Sequence, residues 1–149
     1  MRMFVSLRND AGDAVLEAFL DQTYAWLDAM QADFQRCMGT EFGGHGVLFA
    51  HDVLVELHGR DASWARFDVH ALERWIAENV PELSIAVPSF LCDVMCFTNY
   101  LARHGHIEPA IAIETERRAF EVIGLERRPS APPSRRERRR AARAKRRLH

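Results

Sequence analysis

The chain has 149 residues, of which 48% are hydrophobic and 28% are charged, and its formal net charge is −1 at pH 7. This composition excludes a fully disordered chain and fits one folded domain. The charges are nevertheless segregated. Residues 1–126 contain 9 basic and 20 acidic residues, a net charge of −11, whereas residues 127–149 contain 11 basic residues and one acidic residue, a net charge of +10.

Membrane insertion and secretion are not expected from the sequence. No apolar run approaches the roughly 18 residues of a membrane span, and the first apolar stretch reaches Arg8 too early for the core of a secretion signal. Three cysteines are too few, and odd in number, for the disulfide framework of a secreted protein. We therefore expect a cytoplasmic protein with no membrane contact.

Apolar residues recur at three- and four-residue spacing before the change in charge, and no segment keeps the period of two that indicates a strand. The first predicted helix begins at Asp10 or Asp13, ends near Met38 and has Tyr24 and Leu27 in its apolar stripe. Four more are predicted: from Gly46 or Val47 to His58, from Asp68 as N-cap to Pro81, from Pro88 or Ser89 to Gly105, and from Pro109 to Gly124. The predicted fold class is all-α, a single compact domain of about five helices.

The end of the chain has a different character. Residues 125–133 are rich in proline and lack apolar periodicity, which predicts a linker between an acidic helical domain, residues 1–124, and an arginine-rich tail, residues 134–149. Ser134 and Glu137 match a capping box, and good helix formers follow them. Repulsion between arginines four residues apart makes this helix marginal until an anion neutralises it. The tail is therefore predicted to be basic and conditionally helical.

Such a cationic arm is typical of arginine-rich nucleic-acid binders, because each phosphate contact releases a condensed counterion. Guanidinium groups pair bidentately with phosphate. The tail has no aromatic residue to stack on bases, so strong sequence specificity is not predicted. RNA or DNA is the predicted partner, and the predicted phosphate contacts are Arg135, Arg136, Arg138, Arg139, Arg140, Arg143, Lys145, Arg146 and Arg147.

Other interpretations of the tail stay open. It could be a solubilising end, it could fold back on the acidic body, or it could bind an acidic protein; an anionic membrane is disfavoured because the tail has too few large apolar residues to insert. The alternative function is a protein-interaction or assembly factor. In that case the acidic helical body is the docking surface and the tail is a secondary or autoinhibitory contact.

The residue types that could bind a metal cluster at one place in the sequence. Cys92 and Cys96 lie one helical turn apart, and His104 and His106 follow the end of the same helix. Zinc sites usually take cysteines from a turn that wraps the ion, so we interpret these cysteines as small core residues and predict no metal site. His45, His51 and His58 are spaced by seven residues, too far apart for one ion, and are interpreted as core-edge or surface histidines.

Catalysis finds no positive support in the sequence. The motifs G-x-S-x-G, G-x-G-x-x-G and H-E-x-x-H and the phosphate-binding loop are absent, so the predicted protein is non-enzymatic and uses no cofactor. The aromatic residues fit core packing or a docking surface. Phe42 and Ile113 are apolar positions outside the predicted stripes, which leaves room for a dimer, and the oligomeric state is open.

A weak resemblance extends over about residues 45–123. It rests on core and turn positions: Phe49, Glu56, Gly59, Trp64, Asp68, Leu72, Trp75, Ile76, Val80, Pro81, Val87, Leu91, Phe97, Leu101, His104 and Gly105. These resemble a helical domain of uncharacterised prokaryotic proteins that often carry a C-terminal SEC-C zinc motif, which this chain lacks. The resemblance implies an all-helical body and little about activity. A similar helix succession occurs in the core-binding domains of tyrosine recombinases, but a net charge of −11 argues against their DNA-binding role.

Overall fold

The structure, a computed structural model, describes residues 10–38, 43–126 and 135–147. Its helices are α1 (Asp10–Met38), α2 (His45–His58), α3 (Val69–Asn79), α4 (Val87–Arg103), α5 (Pro109–Glu126) and α6 (Arg135–Arg147), with 3-10 helices at Gly59–Asp61, Trp64–Arg66 and Pro81–Ala86. No strand occurs in these ranges. The all-α prediction is confirmed. Phe42, Ser134 and most of the predicted linker lie outside the described residues.

The chain divides into two compact units, Met1–Ala119 and Phe120–His149, and the division falls inside α5. The first unit contains α1 to α4 and most of α5. The second contains the end of α5 and α6. The domain boundaries expected at residues 124 and 133 stay predictions, because residues 127–134 are outside the described ranges.

Helix ends follow local chemistry. The Asp68 side chain accepts a hydrogen bond from the His70 backbone N–H at 2.9 Å, which makes it the N-cap of α3 as predicted. Gly59 and Gly105, with φ of 57° and 73°, follow the ends of α2 and α4, because glycine adopts this left-handed region without steric cost. Helix α4 starts at Val87, slightly earlier than predicted, because the 3-10 helix Pro81–Ala86 leads directly into it.

The buried face of α1 differs from the predicted stripe. Tyr24 is exposed, whereas Phe19 and Thr23 are buried. The Trp64 indole donates a hydrogen bond to the Thr23 hydroxyl oxygen at 3.0 Å, and that hydroxyl donates to the Phe19 carbonyl at 3.0 Å. A buried indole N–H needs an acceptor, so this pair turns the Thr23 side of α1 toward the core. The prediction for Tyr24 was wrong for this reason.

The centre of the first unit is the contact between α2 and α4. Gly46, in the first turn of α2, donates its backbone N–H to Oδ2 of Asp93 on α4 at 3.0 Å. The N-cap residue Gly44 has no side chain for this task, so α4 supplies the acceptor. A Cβ on Gly46 would lie 2.9 Å from Cα of Phe90 and 2.8 Å from Cβ of Asp93. Only glycine allows the two backbones to approach this closely.

Burial raises the pKa of the Asp93 carboxyl, and the hydrogen bond from Gly46 and the nearby His45 oppose this effect. The carboxylate is therefore held in a partly desolvated position where it serves the end of another helix. Around it, Phe49 of α2 stacks on Phe90 of α4 with ring centres 4.9 Å apart. The polar cap and the aromatic stack together fix the crossing of α2 and α4.

One segment differs from the expectation about apolar runs. The helical segment Pro81–Arg103 contains an 18-residue window that is apolar enough, by length and composition, to cross a membrane. The expectation that no run approaches this length is wrong. Leu91, Val94 and Phe97 of this segment are fully buried in the first unit, but only 33% of its apolar window is buried. A single helix of this kind is weak evidence for a membrane span.

A hydrogen bond and an ion pair on the surface of the first unit join α3 to α5. Nε2 of His70 lies 2.8 Å from Oε1 of Glu114, which also pairs with the Arg117 guanidinium at 2.6 Å. A second pair links Glu73 and Arg118 at 2.8 Å. Hydrogen bonds from Arg117 and then His70 lower the pKa of Glu114 from 4.5 to about 2.

Replacing Gly46 by alanine should lower the free energy of unfolding by about 1–3 kcal/mol, because the new methyl group meets the Phe90 backbone. Chemical denaturation measures the change. Gly124→Ala is the matched control, since no atom of the described residues lies within 4 Å of a Cβ at this helical glycine. It should raise stability by about 0.5–1 kcal/mol through helix propensity. Equal effects of the two substitutions would contradict the close approach.

Glu114 should stay ionised far into the acidic range. Its pKa of about 2 in the folded state lies below the ordinary 4.5, so its contribution to stability is present above pH 4.5 and is lost as the pH falls toward 2. NMR titration of the Glu114 side-chain carboxyl should give this low midpoint. Glu114→Gln should flatten the pH dependence of unfolding in that window, whereas Glu78→Gln, at an exposed carboxylate of α3 outside the ion pairs, should not.

Candidate functional site

The predicted phosphate contacts lie on α6, whose bounds agree with the predicted helix. With about 100° of turn per residue, seven of the basic side chains share an arc of about 140°. We call this the arginine face: Arg135, Arg136, Arg139, Arg140, Arg143, Arg146 and Arg147. Arg138 and Lys145 lie on the other side of the helix with Ala141 and Ala144. All of these residues are exposed, so the basic groups are open to a large anion.

The order of charges along α6 also matters. Lys145, Arg146 and Arg147 lie in its last turn, where cations interact favourably with the helix dipole. Arg135 and Arg136 at the first turn do not have this benefit. An anion beside the arginine face would relieve both the repulsion between neighbouring guanidinium groups and the unfavourable N-terminal charges. The dependence of the helix on such an anion stays a prediction.

The four candidate metal ligands differ in how exposed they are. Cys92 and Cys96 lie half-buried on α4, and His104 and His106 are exposed on the turn after it. Over the described ranges, no group of three or more histidine, cysteine, aspartate or glutamate residues is arranged to hold a metal ion. Burial, and next the neighbouring Cys92, raise the pKa of the Cys96 thiol. This favours the protonated thiol over the thiolate that would bind zinc or act as a nucleophile.

The two histidines belong instead to a row of four rings on the first unit. His106 stacks on Trp26 of α1, with ring centres 4.5 Å apart, and His104 contacts Tyr100 of α4 at 4.3 Å. The His104 and His106 rings are nearly parallel, at 15°, with centres 6.2 Å apart. We call Trp26, His106, His104 and Tyr100 the ring row. Sequence reasoning missed it because Trp26 reaches the turn only through the packing of α1 on α4.

The backbone of the turn positions the ring row. Gly105 donates its N–H to the Ala102 carbonyl at 3.1 Å, and His106 donates to the Leu101 carbonyl at 2.9 Å. With the positive φ of Gly105, these two bonds form a Schellman motif, which fixes how the chain leaves α4. The stop at Gly105 was readable from the sequence. That stop places His104 and His106 on the turn, on either side of Gly105, whereas the contact of His106 with Trp26 depends on the packing of α1.

A cleft of about 830 Å³ lies in the first unit between α1, α4 and α5. Its apolar wall includes Met30, Phe34 and Ala112, and its polar groups are Asp33, Asn99, Arg103 and Glu116. Tyr100 and His104 of the ring row also line it. The volume falls in the range of small-molecule sites, and the combination of an apolar wall with a few polar groups is typical of them.

His51 occupies a core position, although it was expected at the core edge or the surface. It is 3% exposed and packs on Phe19 with ring centres 4.5 Å apart. Its Nδ1 lies 3.3 Å from Oδ1 of Asp52, and its buried Nε2 has no hydrogen-bond partner among the described residues. His45 is exposed and His58 is half-buried at the end of α2. The three histidines therefore form no common site.

Nε2 of His51 has no hydrogen-bond partner within the described ranges, and a buried nitrogen without a partner costs free energy, so His51→Leu should raise the free energy of unfolding by about 1 kcal/mol. Chemical denaturation at neutral pH checks this. The control His45→Leu changes an exposed histidine of the same helix and should stay within about 0.5 kcal/mol of the parent chain. A loss of stability in His51→Leu would show that the imidazole makes a favourable buried interaction.

Comparison with known proteins assigns the chain to no family. No protein-family model, no curated protein and no solved structure matches the chain. The resemblance to helical domains that accompany a SEC-C motif therefore stays a prediction, and the function must be argued from the arginine face, the ring row and the cleft.

Proposed function

We propose that the protein is a cytoplasmic, non-enzymatic nucleic-acid-binding protein whose α6 arm contacts RNA or DNA phosphates without strong sequence specificity. The single observation that carries the proposal is the arginine face. Seven exposed arginines on one side of a helix of about 20 Å present guanidinium groups to one extended anion. A nucleic-acid backbone is an anion of that shape.

The chemistry of the side chains supports phosphate over other anions. Arginine offers a planar fork of donors that matches phosphate oxygens, and it is less strongly hydrated than lysine. Eight of the nine basic residues of α6 are arginine. Binding through phosphates releases counterions, so the affinity should fall steeply with salt. Contacts of this kind carry no base information, which is why the proposal includes no sequence preference.

A matched pair of double variants tests the role of the arginine face. Arg139→Gln with Arg143→Gln removes two charges from the face, and Arg138→Gln with Lys145→Gln removes two charges from the other side. The first variant should weaken binding of a mixed-sequence single-stranded oligonucleotide about tenfold or more, and should reduce the slope of log affinity against log salt by about 1.4. Fluorescence anisotropy over a salt series measures both quantities.

The control variant has the same net charge, so long-range attraction alone would give both variants the same affinity. We expect the control to lose less than about threefold in affinity and to keep the parent slope. Equal losses in the two variants would overturn the role of the face. Circular dichroism of both variants, with and without oligonucleotide, checks that glutamine preserves the helix.

The competing proposal places a protein partner on the acidic body, with the arm as a secondary or autoinhibitory contact. In the same experiment, it predicts that neither the parent chain nor the two double variants bind the oligonucleotide. A chain that binds no oligonucleotide at low salt, yet copurifies with a stoichiometric protein partner whether or not the arginine face is intact, would favour the assembly factor.

A further inference from the structure

The two end rings of the ring row are more buried than its two middle rings. Tyr100 is buried and Trp26 is half-buried, whereas His104 and His106 are exposed. Trp26, Tyr100 and the Schellman motif support the two imidazoles, so their position does not depend on a ligand. Because these two nearly parallel rings are exposed and held in place, a further planar ring can pack against them.

Histidine, tyrosine and tryptophan rings are among the side chains on which proteins stack unpaired bases. A base can stack on a side-chain ring only when one face of the base is accessible. Inside a duplex, both faces of a base are covered by the neighbouring bases of the stack. The ring row therefore suits a base that is free of a duplex. It does not suit the phosphate backbone. Among the described residues that line the adjacent cleft, Arg103 is the one arginine or lysine that could pair with a phosphate.

The adjacent cleft offers hydrogen-bonding groups of both kinds. Arg103 and the Asn99 amide can donate, while Asp33, Glu116 and the Asn99 carbonyl can accept. Asp33 also pairs with Arg36, with Oδ1 at 3.1 Å from the guanidinium. The edge of a nucleobase presents donors and acceptors side by side, and a ribose presents hydroxyls. His104 belongs to both the ring row and the cleft, so one nucleoside can contact both.

We infer that the ring row and the adjacent cleft form a binding site for one unpaired nucleobase of a single-stranded nucleic acid. The base packs against His104 and His106, and its polar edge faces the cleft. This inference rests on the proposed function, because the arginine face supplies the attraction for the phosphates. It adds a substrate class: single strands rather than duplexes.

The test uses the full chain and compares two single-stranded oligomers with equal numbers of phosphates, one carrying bases and one abasic. We expect the oligomer with bases to bind about tenfold tighter at the same salt concentration, a difference typical of base stacking. His104→Ala and His106→Ala should each remove most of that difference and leave the affinity for the abasic oligomer unchanged. His106→Phe, which keeps an aromatic ring, should restore the preference.

His45→Ala is the matched control, because His45 is an exposed histidine outside the ring row and should behave like the parent chain. The substituted residues are exposed, and circular dichroism confirms that each variant folds. A second readout is emission from Trp26, the half-buried tryptophan, since Trp64 and Trp75 are buried. The oligomer with bases should change this emission more than the abasic one.

The outcomes separate the two proposals. Salt-dependent binding of the abasic oligomer with no gain from bases would overturn the base site and leave the arginine face supported. A gain from bases that survives in His104→Ala and His106→Ala would also overturn it, because the bases would then bind elsewhere. Binding only of the oligomer with bases, lost in these variants, supports the base site and overturns the phosphate arm. No binding of either oligomer overturns both.

Discussion

The close contact between α2 and α4 is the constraint on which the first unit depends. A helix whose N-cap is Gly44 has no side chain of its own to accept its free N–H groups, and the Asp93 carboxylate of α4 takes this role through Gly46. The same glycine brings the two backbones together, and Phe49 on Phe90 completes the contact. With α4 fixed in this way, its C-terminal turn presents the two imidazoles of the ring row at a defined place.

The proposed activity divides two kinds of chemistry between two parts of the chain. The second unit carries exposed cations on a helix, which suits a backbone of phosphates. The first unit carries supported rings beside a cleft with donors and acceptors, which suits a base. Charge gives attraction that is insensitive to sequence, and stacking distinguishes an exposed base from a paired one. A single-stranded ligand is the class that uses both.

Much of the fold was readable from the sequence, because it depends on neighbouring residues. The spacing of apolar residues predicted the helices, Asp68 predicted the cap of α3, and Gly59 and Gly105 predicted two helix ends. The side of α1 that faces the core was misjudged at Tyr24. Periodicity alone ranks a large aromatic above Thr23, and it contains no record of the distant Trp64 indole that needs the Thr23 hydroxyl.

The sequence by itself determined the helical class, the helix ends at Gly59 and Gly105 and the segregation of charge, including the arginines of α6, since these follow from composition and from neighbours a few residues apart. It misplaced the start of α4 and the end of α5, which continues past Gly124 to Glu126. Only the tertiary structure decided that His104 and His106 stand beside Trp26 and Tyr100 rather than with Cys92 and Cys96. It also decided that His51 is buried with a ring nitrogen that has no hydrogen-bond partner in the part of the chain that the structure describes. Such contacts depend on how helices far apart in the chain pack against each other, which the spacing of neighbouring residues does not record.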